Sequence, residues 1–106
     1  MGKIANITSE ADFLQEGSTP ILVDFYADWC GPCQAMSPAL HAIADEENVL
    51  VFKVDIEKHQ DLASKYNVHA IPMLMTTKNG KVIESVTGLQ SKKNLLDMIG
   101  RANAAT

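Results

Sequence analysis

Cys30 and Cys33 are the only two cysteines in the chain, and they stand two residues apart in the run Asp28-Trp29-Cys30-Gly31-Pro32-Cys33-Gln34, beside its single tryptophan. A thiolate is a nucleophile and a metal ligand, so a close pair of thiols can trade a dithiol for a disulfide or help to hold an ion. Zinc asks for four ligands. The chain has only these two cysteines, and His41, His59 and His69 are scattered along it, so no metal is expected and the histidines are read as surface or partly packed side chains. Two cysteines are too few to staple a chain of 106 residues as a disulfide scaffold. Redox chemistry remains the leading reading, with an inert disulfide or two buried thiols as the bland alternative.

Such a pair needs elements that hold it. Thr19 to Ala27, "TPILVDFYA", is apolar on both faces from Ile21 to Tyr26 except at Asp24, the pattern of a strand covered on two sides. Val49 to Ile56 reads the same way, broken only by Lys53 and Asp55. Between them, Cys33 to Glu47 carries Met36, Leu40, Ile43 and Ala44 at helical spacing. Strand, helix and strand make a βαβ unit with parallel strands.

Cys30 therefore falls where a buried strand hands over to a helix. Unpaired N–H groups and the positive dipole end favour an anion there. Gly31 permits close backbone approach, and Pro32 suits a first helical turn. Cys33 comes one turn on, placed to face Cys30.

The remaining pattern predicts a first strand over Lys3 to Ile7, a helix between a Thr8 or Ser9 cap and Gly17, and a short helix over Lys58 to Tyr66. Two strands then join at Asn79-Gly80, a hairpin signal, and a helix runs over Ser91 to Ala102. Pro38 inside the central helix should kink it. The order β-α-β-α-β-α-β-β-α predicts one α/β domain over residues 1–106, with a mixed sheet and helices on both faces.

Asp24 is the most informative residue outside the cysteine pair. A carboxylate among Leu22, Val23 and Phe25 is costly to ionise, so its pKa should rise; an Asp at an exposed strand end is the alternative. Net charge is −4, which argues against nucleic acid or an anionic membrane surface as partner. No apolar run approaches the ~20 residues of a membrane span. The opening "MGKIANITSE" lacks the apolar stretch of a secretory signal, so a cytoplasmic setting is expected. Neither a G-x-G-x-x-G run nor a phosphate-binding loop is present, and no cofactor beyond the cysteine pair is expected.

"DFYADWCGPC", with Asp24, Lys53, the "AIP" of Ala70 to Pro72, "KNG" and Gly88 in order, resembles the thioredoxin family over nearly the whole chain. The resemblance implies a thioredoxin fold of about five strands and a protein-disulfide reductase. In that reading Cys30 attacks a substrate disulfide, Cys33 resolves the mixed disulfide, and Asp24 takes up the proton of Cys33 with Lys53 tuning it. Ile71-Pro72 is the family's cis-proline loop, trans being the alternative. Trp29, Gly31, Pro32, Ile71, Pro72 and Gly88 form an apolar docking surface, with core packing the simpler reading of Trp29. The implied partners are a thioredoxin reductase, passing electrons from NADPH, and disulfide-containing client proteins, met by a monomer.

Three departures from the family pattern matter most. Gln34 stands where a basic residue is common, Asp28 adds a carboxylate before Trp29, and Met73 follows Pro72 where threonine is common and could alter the docking surface. Thr76-Thr77 also replaces a bulkier apolar pair. Two other functions stay in view: a disulfide oxidase or isomerase, against which the resemblance sets the Gly-Pro between the cysteines, and a partner-specialised subunit, which these departures would suit.

Overall fold

The computed structural model describes residues 3–47 and 49–105. Its strands are β1 (Lys3–Asn6), β2 (Ile21–Tyr26), β3 (Leu50–Asp55), β4 (Met73–Lys78) and β5 (Lys81–Thr87), and its helices are α1 (Gly31–Glu47), α2 (Gln60–Lys65) and α3 (Lys92–Ala104). They form one five-stranded sheet in the order β1-β3-β2-β4-β5. β1 and β2 both run parallel to β3, while β4 is antiparallel to β2 and to β5. The βαβ unit read around the cysteines is β2-α1-β3, and the hairpin at Asn79-Gly80 is β4-β5, with both turn residues at positive φ.

Alternation along β2 sorts the core into two layers. Leu22 packs with Val51 and Leu74 against Met36, Leu40 and Ile43 of α1 and Leu95, Met98 and Ile99 of α3. Ile21, Val23 and Phe25 pack on the other face with Val54, Met73 and Met75, under Phe13 and Leu62 of α2. Helices thus cover both faces, as the order of elements predicts. Pro38 lies within α1, which continues through it to Glu47, although its ring nitrogen cannot donate to the carbonyl of Gln34.

One expected helix is reduced to a single turn. Where the Thr8–Gly17 segment reads as a helix, only the 3-10 turn Glu10–Asp12 forms. The Asp12 carboxylate accepts the N–H groups of Thr8 and Ser9, which closes the turn on itself. Phe13 then drops fully into the core, and the polar run to Pro20 offers no further apolar stripe to bury. α1 also begins two residues earlier than its apolar spacing suggests, with Gly31 and Pro32 as its first two residues.

Candidate active site

α1 opens on the dithiol. Cys30 precedes its first residue and occupies the position usually filled by Ser or Asp, whose oxygen would accept the N–H of the third helical residue. Here a sulfur does so: the N–H of Cys33 donates to Cys30 Sγ at 3.1 Å. The N–H of Cys30 donates to Ala27 O, and that of Gln34 to Cys30 O, each at 3.1 Å. Pro32 has no N–H to satisfy. The helix start is therefore fitted around the sulfur of Cys30, and that sulfur faces the positive end of a 17-residue helix.

The two cysteines form a disulfide with their Cα atoms 5.3 Å apart. Both are nearly buried, at 5 % and 6 % exposure, and they pack with Ala27, Tyr26, Ile56 and Ile71. Trp29 lies outside this cluster and is 67 % exposed, which rules out core packing for it. Gly31 and Pro32 are exposed beside it, and a Cβ at Gly31 would meet nothing within 4 Å. The Ile71-Pro72 bond is cis. The N–H of Gly88 donates to Pro72 O at 2.8 Å, so the β5 end is tied to the proline loop. Gly88 has φ +99°, where side-chain-bearing residues are strained. Next to it Leu89 is exposed. The residues expected to dock a partner thus share the rim around Cys30, with Pro72 itself buried. Met73 does not join them: it is buried among Phe25, Val54 and Met75, because its place in β4 turns it to the opposite face from Leu74.

Asp24 is 1 % exposed. It shares the α1 face of β2 with Leu22, and its partner across β3 is Lys53. One carboxylate oxygen, Oδ1, is buried without a hydrogen bond. Burial pushes its carboxyl up to about 6, against a smaller downward pull from the Lys53 ammonium. Lys53 is half-buried. A cleft of about 270 Å³ runs in beside Cys33, lined by Tyr26, Asp28, Gln34, Ser37 and Lys53. With water occupying ~30 Å³ in bulk, it has room for several molecules beside Cys33 and Lys53. A larger hollow, about 510 Å³, lies around Gly17, Lys78 and Lys81, at the end of β4 away from Pro72 and from this chemistry.

The Gln34 side chain donates to Asp28 O at 2.6 Å, tying the loop before Cys30 to the second turn's start. His41 and His69 are exposed and His59 is half-buried. Two side chains of this site receive no role from the sequence. Tyr26 stands within the run that carries the resemblance and Ser37 outside it; period-2 spacing puts Tyr26 on the face of Asp24, and helical spacing puts Ser37 one turn from Cys33.

A family profile described as thioredoxin matches residues 4–101. A thioredoxin of Rickettsia felis is 36 % identical over 104 residues, which is 93 % of this chain and 99 % of that protein. Thioredoxin Y2, chloroplastic, of Arabidopsis thaliana is 40 % identical over 83 % of this chain and 54 % of its own length, so this chain spans about half of that relative. Among solved structures, a mutant thioredoxin from Halobacterium salinarum superposes with a TM-score of 0.88 at 33 % identity, covering 98 % of this chain and 94 % of that one. No helix among the described residues is long and apolar enough to cross a membrane. With a cysteine pair closed across the start of α1 and a thioredoxin profile along nearly its whole length, the chain belongs to the thioredoxin family and is a thiol–disulfide oxidoreductase.

Proposed function

We propose that the chain works in the reducing direction, as a general protein-disulfide reductase. The thioredoxin profile along nearly the whole chain supports this direction, and the helix-capping bond to Cys30 Sγ supports Cys30 as the attacking sulfur: the N–H and the helix dipole that hold it favour its thiolate over its thiol. In the dithiol form the Cys30 thiolate attacks one sulfur of a substrate disulfide. A Cys30–substrate bond forms and the other substrate sulfur leaves as a thiolate. Cys33 then gives its proton to the Asp24 carboxylate, directly or through water in the adjoining cleft, and its thiolate attacks Cys30. The Cys30–Cys33 bond forms, the second substrate sulfur is released, and two electrons have passed to the substrate. An acid with a pKa of about 6 is mostly ionised at pH 7 yet basic enough to accept a proton, the poise that proton transfer asks for.

The substrate approaches over Trp29, Gly31, Pro32, Ile71 and Gly88. The backbone of Ile71, at the edge of the loop, is available to pair with an extended segment. A thioredoxin reductase is the proposed source of electrons, the cytoplasm the proposed setting, and a monomer without a further cofactor the proposed form. Mixing Cys33→Ser with a peptide disulfide should leave a stable covalent adduct on Cys30, seen by mass spectrometry. Cys30→Ser should give none, and the wild type should release two thiols per disulfide. Adducts formed equally by both variants would overturn the division of roles.

A further inference from the structure

Tyr26 lies two residues beyond Asp24 on β2, so both side chains belong to the α1 face of the sheet. Across β3 the residues opposite them are Lys53 and Asp55, and Lys53 in turn lies opposite Asn6 of β1. The Tyr26 side chain crosses this polar row diagonally. Its hydroxyl donates to Asn6 Oδ1 at 3.0 Å, two strands away, and Lys53 Nζ sits 4.3 Å from the centroid of its ring. A cation over the face of a tyrosine is attracted by the ring's quadrupole, more strongly where water is partly excluded. Tyr26 and Lys53 are both half-buried and line the cleft beside Cys33.

A lysine ammonium on a four-carbon stem has many rotamers to choose among. It also has competing carboxylates here. Asp28 in the β2-α1 loop and Asp55 on β3 both bear on the Tyr26 ring, with Asp24 weaker than either. β4 offers only Leu74 opposite Asp24, and α1 contributes Cys33 and Ser37. A free Lys53 would divide its time among three carboxylates, and its influence on any one would fall with distance.

We propose that Tyr26 is a positioning residue of the proton-transfer site: its ring, tethered to Asn6, holds the Lys53 ammonium where it favours the ionised form of Asp24. This rests on Asp24 as the proton acceptor, and it adds a residue that the cysteine motif does not reveal.

The test is to titrate Asp24 by carboxyl NMR in the disulfide form, where neither cysteine ionises, in the wild type, Tyr26→Leu, Lys53→Met and the double variant. Loss of the ring also admits water to Asp24, which lowers its pKa; Tyr26→Leu in the Lys53→Met background measures that effect alone. In the presence of Lys53, Tyr26→Leu should leave the Asp24 pKa higher than that correction predicts. The two single shifts should fail to add by roughly 0.4 pH unit or more, the equivalent of the smallest coupling expected between residues in contact. Additive shifts overturn the proposal. Should Tyr26→Leu not fold, Tyr26→Phe removes only the tether, and its cycle with Lys53→Met must give coupling of the same sign. The acceptor role is decided separately. If Asp24→Asn keeps the wild-type pH profile of thiol release, Asp24 takes no proton in the reaction, while the titration still decides the role of Tyr26.

Discussion

Replacing Asp24 with asparagine should make the folded protein more stable at neutral pH, by an amount that the burial of this carboxyl sets. Its pKa is displaced from an ordinary 3.8 to about 6, chiefly by burial. At ~1.4 kcal/mol per pH unit, a displacement of about two units corresponds to roughly 3 kcal/mol. The sign follows from proton counting. Between pH 4 and 6 the native state holds this proton after the unfolded chain has released it, so raising the pH favours unfolding. Wild-type stability should therefore fall by up to roughly 3 kcal/mol between pH 4 and 7, then level off. Asparagine has nearly the same shape and never ionises, so the two proteins should match near pH 4 and separate as pH rises. Glu10, Asp12 and Glu84 have lowered pKa values from their hydrogen bonds and lose stability on the acid side, but equally in both proteins. Urea unfolding of the disulfide forms at pH 4, 5, 6, 7 and 8 gives the difference directly. A difference that stays constant with pH would refute the raised pKa, whatever its size.

Two further outcomes follow from single side chains. Thr76 Oγ1 is buried without a partner, facing the apolar layer of Leu22, Leu95 and Met98; Thr76→Val should raise stability by about 1 kcal/mol, since it removes an unsatisfied hydroxyl at nearly constant volume. A thermal midpoint that stays put or falls would mean that the hydroxyl is satisfied. Gln34→Lys places a cation near the start of α1 and should lower the pKa of Cys30 in the dithiol form, read from the thiolate absorbance on titration. Coincident curves would show that this position does not tune the thiol.

Much of the frame was legible because its signals are local. The apolar runs of β2 and β3, the Asn79-Gly80 turn and the 3.6-residue spacing of Met36, Leu40 and Ile43 each follow from a short window. The cysteine spacing and the strand-to-helix junction likewise placed the thiols correctly. What escaped depends on contacts between distant segments. The segment after β1 carries good capping residues, yet Asp12 closes it into one turn and Phe13 leaves for the far core. Met73 departs from the family pattern beside the proline loop but faces inward, a matter of strand register that its own neighbours do not reveal. The tie from Gln34 to the carbonyl of Asp28 and the tether from Tyr26 to Asn6 join side chains whose partners no local pattern specifies, so only the folded chain shows them. Thr76 and Thr77 read alike in sequence. One hydroxyl is orphaned, while the other donates to Phe13 O at 2.6 Å, because they face opposite layers.

The reduction potential of the Cys30–Cys33 pair, measured by equilibration against glutathione with alkylation of the free thiols, tests the direction of the reaction most directly. A protein-disulfide reductase should lie near the ~−270 mV of thioredoxins, below the glutaredoxin range of about −200 to −230 mV. A value near about −180 mV or above, where protein disulfide isomerase lies, would contradict the account: electrons would then flow from clients to this chain.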